Sequence, residues 1–431
     1  MPDTPSIAFI TLGCPKNEVD SDRMAAAVSA SEYRLVDDPT DADVVVLNTC
    51  AFIQVATEEA IEEFFTLHTQ WRPARDGRTI VVAGCMPSRY GADLATAMPE
   101  ADAFVPVADE SRLLETLETL LRRPAGAAEG PGRLAPGLTA YLKVSEGCDR
   151  RCAYCTIPSI RGPFISATLD SLVAEARWLV ARGAREIVLV GQDIASWGID
   201  LGCGDDLASL VRALDAIEGD FRLRLMYVQP DGVSPELLDV IASGTHVCHY
   251  LDIPLQHASA AVLDAMGRTG GPEAHLALLD RIRTALPDVV LRTTMMSGFP
   301  GETDDDARVL EEFLAQAELD YVGVFAYSAE DGTPAATMPA QVDPALAAER
   351  AQRVRDIADA VGFARAERHT GSVRRVLVEG VDEDGELVGR TCGQAPDVDG
   401  LTFVDTDAPV GAFVDLRITG SAGYDLIGEG L

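Results

Sequence analysis

Lysine is nearly missing from this chain of 431 residues: among 35 basic residues, only Lys16 and Lys143 are lysine. Positive charge in general is short, because 69 acids bring the formal net charge to −34. Such a chain repels a phosphate backbone, which makes nucleic acid a poor default partner and a basic protein a better one. A solvating role for the charge is the plainer alternative. Long apolar runs are also lacking. None approaches the roughly 20 residues that span a bilayer, and the opening MPDTPSIAFITLGC has neither a basic region nor a long apolar core. No signal peptide or membrane span is therefore expected, and the cytoplasm is the expected compartment. Nine cysteines in that reducing setting argue against a disulfide framework and for metal binding or catalysis. Histidine is scarce too: none falls between His68 and His246.

What the chain does have is a globular composition, with 47% hydrophobic residues and length enough for two or three domains. The fold class expected is α/β, in three segments. Residues 5–121 alternate short apolar runs (SIAFITL, ADVVVLN, RTIVVAG) with helical patterns, as a small parallel-sheet domain does. The stretch PAGAAEGPGRLAPG then reads as a linker. Over 134–368 a strand-then-helix unit repeats six times, with TAYLKVS, REIVLVG, FRLRLMYV, CHYLDIPL, VVLRTTMM and YVGVFAY as the strands. That predicts an open, incomplete relative of the eight-fold βα barrel, its active site at the carboxyl ends of the strands. Residues 370–431 are short, glycine-punctuated β segments, predicted to form a small antiparallel barrel. From Ser372 onward they carry twelve acids and four arginines, a net of −8.

In EGCDRRCAYCTIPSIRG, Cys148, Cys152 and Cys155 stand four and three residues apart, just after the first barrel strand. A structural zinc site closes with four ligands, and no histidine lies near enough in sequence to be the fourth. Three thiolates can instead hold three irons of a [4Fe–4S] cube and leave the last iron open to another ligand. Three further cysteines each follow an N-terminal strand: Cys14 in TLGCPKN, Cys50 in LNTCAFI and Cys85 in VAGCMPSRY. In a parallel sheet those ends share one edge, so the three can meet as a second trio. Taken singly, each would pass for a small buried apolar residue. Cys203, Cys248 and Cys392 join neither set.

The spacing of Cys148, Cys152 and Cys155 resembles the signature of the radical S-adenosylmethionine superfamily. TLGCPKN, NTCAFI, YLKVSEGCDRRCAYCTIPSIRG, LDIPLQH and GFPGET resemble motifs of its methylthiotransferase family over nearly the whole chain. SIRGPF, MYVQPDGVSPEL and APDVDG lean toward the branch acting on an aspartate of small-subunit ribosomal protein twelve. The wording departs from the usual at Ala51, at Met295, Met296 and Ser297 and within VGQDIASWG, but at no ligand cysteine. The resemblance implies two [4Fe–4S] clusters, one on each trio, with S-adenosylmethionine as methyl donor and radical source. It implies that Tyr154 lies near the adenine, that a 5′-deoxyadenosyl radical takes hydrogen from the aspartate β-carbon, and that the last segment is a TRAM domain. Gln192 and Asp193 follow the second barrel strand, and Gln256 and His257 the fourth, as candidates to line the cofactor pocket; His257 fits a satisfied polar residue equally well. In GFPGET, close backbone approach at the glycines competes with turn and cap roles for Glu302 and Thr303. A sister branch methylthiolates an adenosine of transfer RNA, and an iron–sulfur protein without catalysis is a third possibility. The acidic last segment favours the ribosomal protein, because an RNA-binding domain should be basic. Sulfur source, reductant and oligomeric state are left open.

Overall fold

The computed structural model describes residues 4–126 and 132–431, so part of the expected linker lies outside the described residues. The chain packs as two compact units. One takes the described residues up to Ala135 together with Glu146–Arg150 and Cys155–Ile165, and the other takes Pro136–Ser145, Arg151–Tyr154 and Ser166–Leu431.

The first unit is built on a five-stranded parallel sheet in the order Arg34–Leu35, Ser6–Thr11, Val44–Thr49, Thr79–Gly84, Ala103–Pro106. Successive side chains of a strand point to opposite faces, and VVVLN has to satisfy both. Val45 and Leu47 pack on Phe64, Trp71 and Met86 on one side, while Val44 and Val46 pack on Met24, Val28, Leu113 and Leu117 on the other. Every residue of Val44–Thr49 is buried in consequence. That two-sided burial is why the strand is a continuous apolar run with no polar alternation.

The second unit holds six parallel strands in sequence order: Thr139–Lys143, Glu186–Val190, Arg222–Leu225, Val247–Asp252, Val290–Ser297 and Tyr321–Ala326. Several of the helices between them start at side-chain caps, though Pro272–Ala285 follows Gly271 with none. Thr168 caps Leu169–Ala181, Asp206 forms a reciprocal pair with Ser209 at Leu207–Asp215, and Ser234 caps Pro235–Ser243. The helix Pro344–Glu367 leads to a closed five-stranded barrel ordered Val373–Val381, Leu387–Thr391, Thr402–Asp405, Asp425–Gly430, Phe413–Ala422. Neighbouring strands there are antiparallel except Thr402–Asp405 beside Asp425–Gly430, which are parallel. A closed ring with an odd number of strands cannot alternate direction all the way round.

Within this unit the small barrel is locked onto the amino-end side of the six strands. Glu186, fully buried, pairs with Arg222 at 2.7 Å, Arg224 at 2.6 Å and, from the small barrel, Arg390 at 2.7 Å. Burial alone would raise the Glu186 carboxyl, but Arg224, Arg222 and Arg390 hold it well below its ordinary 4.5. From the APDVDG loop, Asp397 accepts from Tyr141 Oη at 3.0 Å and Asp399 from Tyr250 Oη at 2.7 Å. Arg222 and Arg224 donate to the carbonyls of Arg390 and Cys392. These contacts occupy one end of the strands and leave the carboxyl ends for chemistry.

Candidate active site with two cysteine trios

Cys14, Cys50 and Cys85 follow three strands that are immediate neighbours in the first sheet. The register aligns their ends: Thr11 faces Asn48, and Thr49 faces Gly84. Cys50 directly follows Thr49, Cys85 directly follows Gly84, and Cys14 is the residue before the helix Pro15–Ser29. Two glycines make the approach possible. Gly13, at φ +98°, has Cys50 so close that a Cβ there would lie 2.5 Å from Cys50 Cβ and 3.1 Å from its Sγ. Gly84, at φ +91°, would carry its Cβ into Asn48 Oδ1 and within 2.8 Å of Thr49 O. Both positions demand the left-handed conformation and the missing side chain.

Asn17 draws the three loops together. Its Nδ2 donates to Leu12 O and Thr49 O, both at 3.0 Å, which joins the loop of Cys14 to the loop of Cys50. Its Oδ1 faces Cys14 Sγ at 3.9 Å and Cys85 Sγ at 3.7 Å. Arg161 completes the arrangement, donating from Nη2 to Asn17 Oδ1 at 2.6 Å and to Cys85 Sγ at 3.5 Å. Burial pushes the Cys85 thiol up to about 12, with Arg161 opposing, and burial also raises Cys50. At Cys14 burial acts in the same sense, but Lys16 and Arg161 outweigh it and the thiol sits below its ordinary value. Among the described residues no group of three or more His, Cys, Asp and Glu side chains could hold a single metal ion. A four-iron cube makes a different demand, since each thiolate takes its own iron. Three converging cysteine sulfurs with an arginine donor at hand fit that group.

The second trio lies in the loop that follows Thr139–Lys143. In the first unit, the Cys148 N–H donates to Gly162 O at 3.2 Å and Thr156 Oγ1 to Phe52 O at 3.0 Å. In the second unit, Arg268 points Nη1 at Cys152 Sγ, 3.7 Å away, while its Nη2 is held by Gln229 Oε1 and Pro254 O at 2.7 Å each. Ala153 is tied on both sides of its peptide, N–H to Met266 O and carbonyl to Ala335 N–H. Tyr154 packs with Val262, Leu263, Met266 and Phe299.

Gln192 and Gln256 both lie beyond the carboxyl ends of strands in the six-stranded sheet. Gln256 has φ +70° and bridges to Met295, with its carbonyl taking the Met296 N–H at 2.6 Å. His257 is buried: its Nδ1 accepts the Ser259 N–H at 2.9 Å, while its Nε2 makes no hydrogen bond among the described residues and lies 3.5 Å from Glu302 Oε2. Glu302 in turn takes the Gly298 N–H at 2.6 Å and pairs with Arg350 at 3.0 Å, so it braces the GFPG turn. The helix cap is Thr303 alone, in a reciprocal pair with Asp306 ahead of Asp304–Ala317. Cys203 and Cys392 are exposed and Cys248 is buried within a strand. Sequence reasoning passed over Arg161 and Arg268. Arg161 was within reach, because it stands inside the quoted SIRG six residues after Cys155; Arg268 has no local signal.

A six-stranded open βα sheet with a three-cysteine loop after its first strand defines a class, and the model of the radical SAM superfamily matches residues 142–314. The uncharacterized protein family UPF0004 matches residues 6–106 and the TRAM domain residues 370–430. Curated relatives named ribosomal protein uS12 methylthiotransferase RimO are 42% identical in Geobacter sulfurreducens, over 98% of each chain. Those of Moorella thermoacetica and Kineococcus radiotolerans are 41% and 40% identical, over 97% or more of each chain. The chain belongs to the RimO family of radical S-adenosylmethionine methylthiotransferases. Among solved structures, the radical methyltransferase TsrM of Kitasatospora setae superposes with a TM-score of 0.58 over 89% of this chain and 84% of its own, at 14% identity. That likeness concerns the fold. No helix among the described residues is long and apolar enough to cross a membrane.

Proposed function

We propose that this chain adds a methylthio group to the β-carbon of an aspartate in ribosomal protein uS12. The observation that carries the reading is likeness of 40–42% along essentially the full length of relatives bearing that name. Two [4Fe–4S] clusters would be held, one by Cys14, Cys50 and Cys85 and one by Cys148, Cys152 and Cys155, in domains spanning 5–121, 134–368 and 370–431. Bound at the second trio, a reduced cluster supplies homolysis of S-adenosylmethionine and so hydrogen abstraction from an unactivated carbon, which no side chain performs. The chain's own residues do the rest. Tyr154, Gln192 and Gln256 line the cofactor side, Arg268 donates toward Cys152, and Asn17 holds together the loops of the first trio, which would carry the sulfur to be transferred. The last segment's net charge of −8 suits a basic ribosomal protein in the cytoplasm and disfavours RNA.

The test is anaerobic reconstitution with reductant, sulfide and S-adenosylmethionine, offering uS12 in one reaction and transfer RNA in another. Mass spectrometry should find a methylthio group on an aspartate of uS12 and none on the RNA. Modified adenosine in place of modified aspartate would overturn the substrate assignment and leave the two-cluster chemistry standing.

A further inference from the structure

Arg161 belongs by sequence to the second cysteine loop, yet its guanidinium is aimed at the first trio. Its side chain is 1% exposed. Nη1 donates to two carboxylates, Asp20 Oδ2 and Glu146 Oε1, each at 3.0 Å. Those two acids are enough to neutralise a buried guanidinium, so charge balance alone does not require the contacts on its other side. There Nη2 meets no acid: it donates to the amide oxygen of Asn17 at 2.6 Å and to Cys85 Sγ at 3.5 Å.

Each contact has a consequence. By occupying Asn17 Oδ1, Arg161 fixes which way the amide faces, and so directs Nδ2 onto Leu12 O and Thr49 O, the anchors of the Cys14 and Cys50 loops. By donating to Cys85 Sγ it places a positive N–H on a ligand sulfur, and hydrogen bonds to the sulfurs are among the factors that set a cluster's potential. The planar fork of arginine reaches Asp20 and Glu146 from one nitrogen and Asn17 and Cys85 from the other at once; a lysine's single ammonium cannot. Glu146 stands two residues before Cys148. The same side chain therefore ties the entry to the second cysteine loop to the sulfur of the first trio, all within one compact unit.

We propose that Arg161 is a positioning residue of the N-terminal trio, orienting Asn17 and setting the reduction potential of the cluster there through its hydrogen bond to Cys85. The inference rests on the reading that Cys14, Cys50 and Cys85 hold a cluster.

The test uses the full chain with Cys148, Cys152 and Cys155 replaced by alanine, so that a cluster can form only on the first trio. Iron is counted after anaerobic reconstitution, and the potential is followed by electron paramagnetic resonance during a redox titration. With Arg161 present, about four irons per chain are expected; no iron overturns the cluster reading and this inference with it. With iron bound, Arg161→Gln should shift the potential to more negative values and Arg161→Lys should recover part of the shift, since it restores charge but not the fork. Equal potentials in all three overturn the inference and leave the cluster reading intact. Should Arg161→Gln bind no iron, labelling of the metal-free chain by N-ethylmaleimide decides. Arg161 favours the Cys85 thiolate, the form that reacts, so its loss should slow modification of Cys85 by about tenfold, and an unchanged rate overturns the proposal.

Discussion

The two cysteine trios reach the same number of thiols by opposite routes. Cys148, Cys152 and Cys155 are neighbours in sequence, and one loop carries them whatever the rest of the chain does. Cys14, Cys50 and Cys85 are brought together only because three strands lie side by side and end in register. Both trios lean on glycines at positive φ, Gly13 and Gly84 for the first, Gly147 and Gly162 for the second, but the assembled trio adds an asparagine bridging two loops and a buried arginine on a sulfur. In the local trio, Arg268 faces Cys152 and two hydrogen bonds hold Ala153, all within the second unit. Local spacing tolerates distortion of the fold; assembly by topology does not.

The largest effects follow from removing thiols, and they should differ in kind. Cys148→Ala is expected to abolish both methylthiolated product and 5′-deoxyadenosine while the first trio keeps its iron, about half the wild-type total. Cys50→Ala should also lose half the iron and all methylthiolated product, yet 5′-deoxyadenosine should still form. Iron analysis and mass spectrometry of both products on the two variants check this. If either variant kept the methylthiolated product, or both lost 5′-deoxyadenosine, the division of labour between the trios would be wrong.

A smaller effect should separate the scaffolds. Gly84→Ala meets both a strained backbone and Asn48, so it should cost about 4 kcal/mol and strip iron from the first trio. Gly162, beside the second trio at φ +76°, has nothing within 4 Å of where a Cβ would stand. Its replacement by alanine should cost only the backbone strain, about 2 kcal/mol, with iron retained. Urea midpoints and iron content measure both. Equal losses would mean that backbone strain, and not the overlap with Asn48, sets the cost at Gly84.

That contrast also decides what could be read without coordinates. The second trio announces itself by spacing. The first was legible as soon as three apolar runs were taken as parallel strands, because the geometry of a parallel sheet puts their ends together. The open six-unit sheet was legible in the same way, from repetition. What stayed hidden depends on side chains far apart in sequence: Arg161 on Cys85, Arg268 on Cys152, and Glu186 with Arg222, Arg224 and Arg390. Hydrophobic periodicity fixes which face of a strand is buried, but says nothing about which charged groups are buried with it. Glu302 shows the same limit, since nothing in GFPGET distinguishes a helix cap from a carboxylate folded back on the turn.

The smallest effect concerns acid and should be confined to the second unit. His275 lies buried in Pro272–Ala285, edge-on to Phe313 with ring centres 5.8 Å apart, against a glycine, Gly270, whose Cβ would overlap its ring. Burial pulls its pKa from 6.5 to about 4. A base with a lowered folded pKa binds fewer protons folded than unfolded between those values, so stability is complete above pH 6.5 and drains away as pH falls toward 4. At pH 5 the loss from this residue should be about 2 kcal/mol. Glu186 adds a loss of the same sign only below its ordinary 4.5. Hydrogen exchange on the metal-free chain at pH 7.5 and pH 5, corrected for intrinsic rates, should show protection falling in the helix Pro272–Ala285 and holding in the strand Val44–Thr49. His275→Gln should flatten the fall. An equal fall in both elements would assign the acid sensitivity to something the two units share, and His275 would be acquitted.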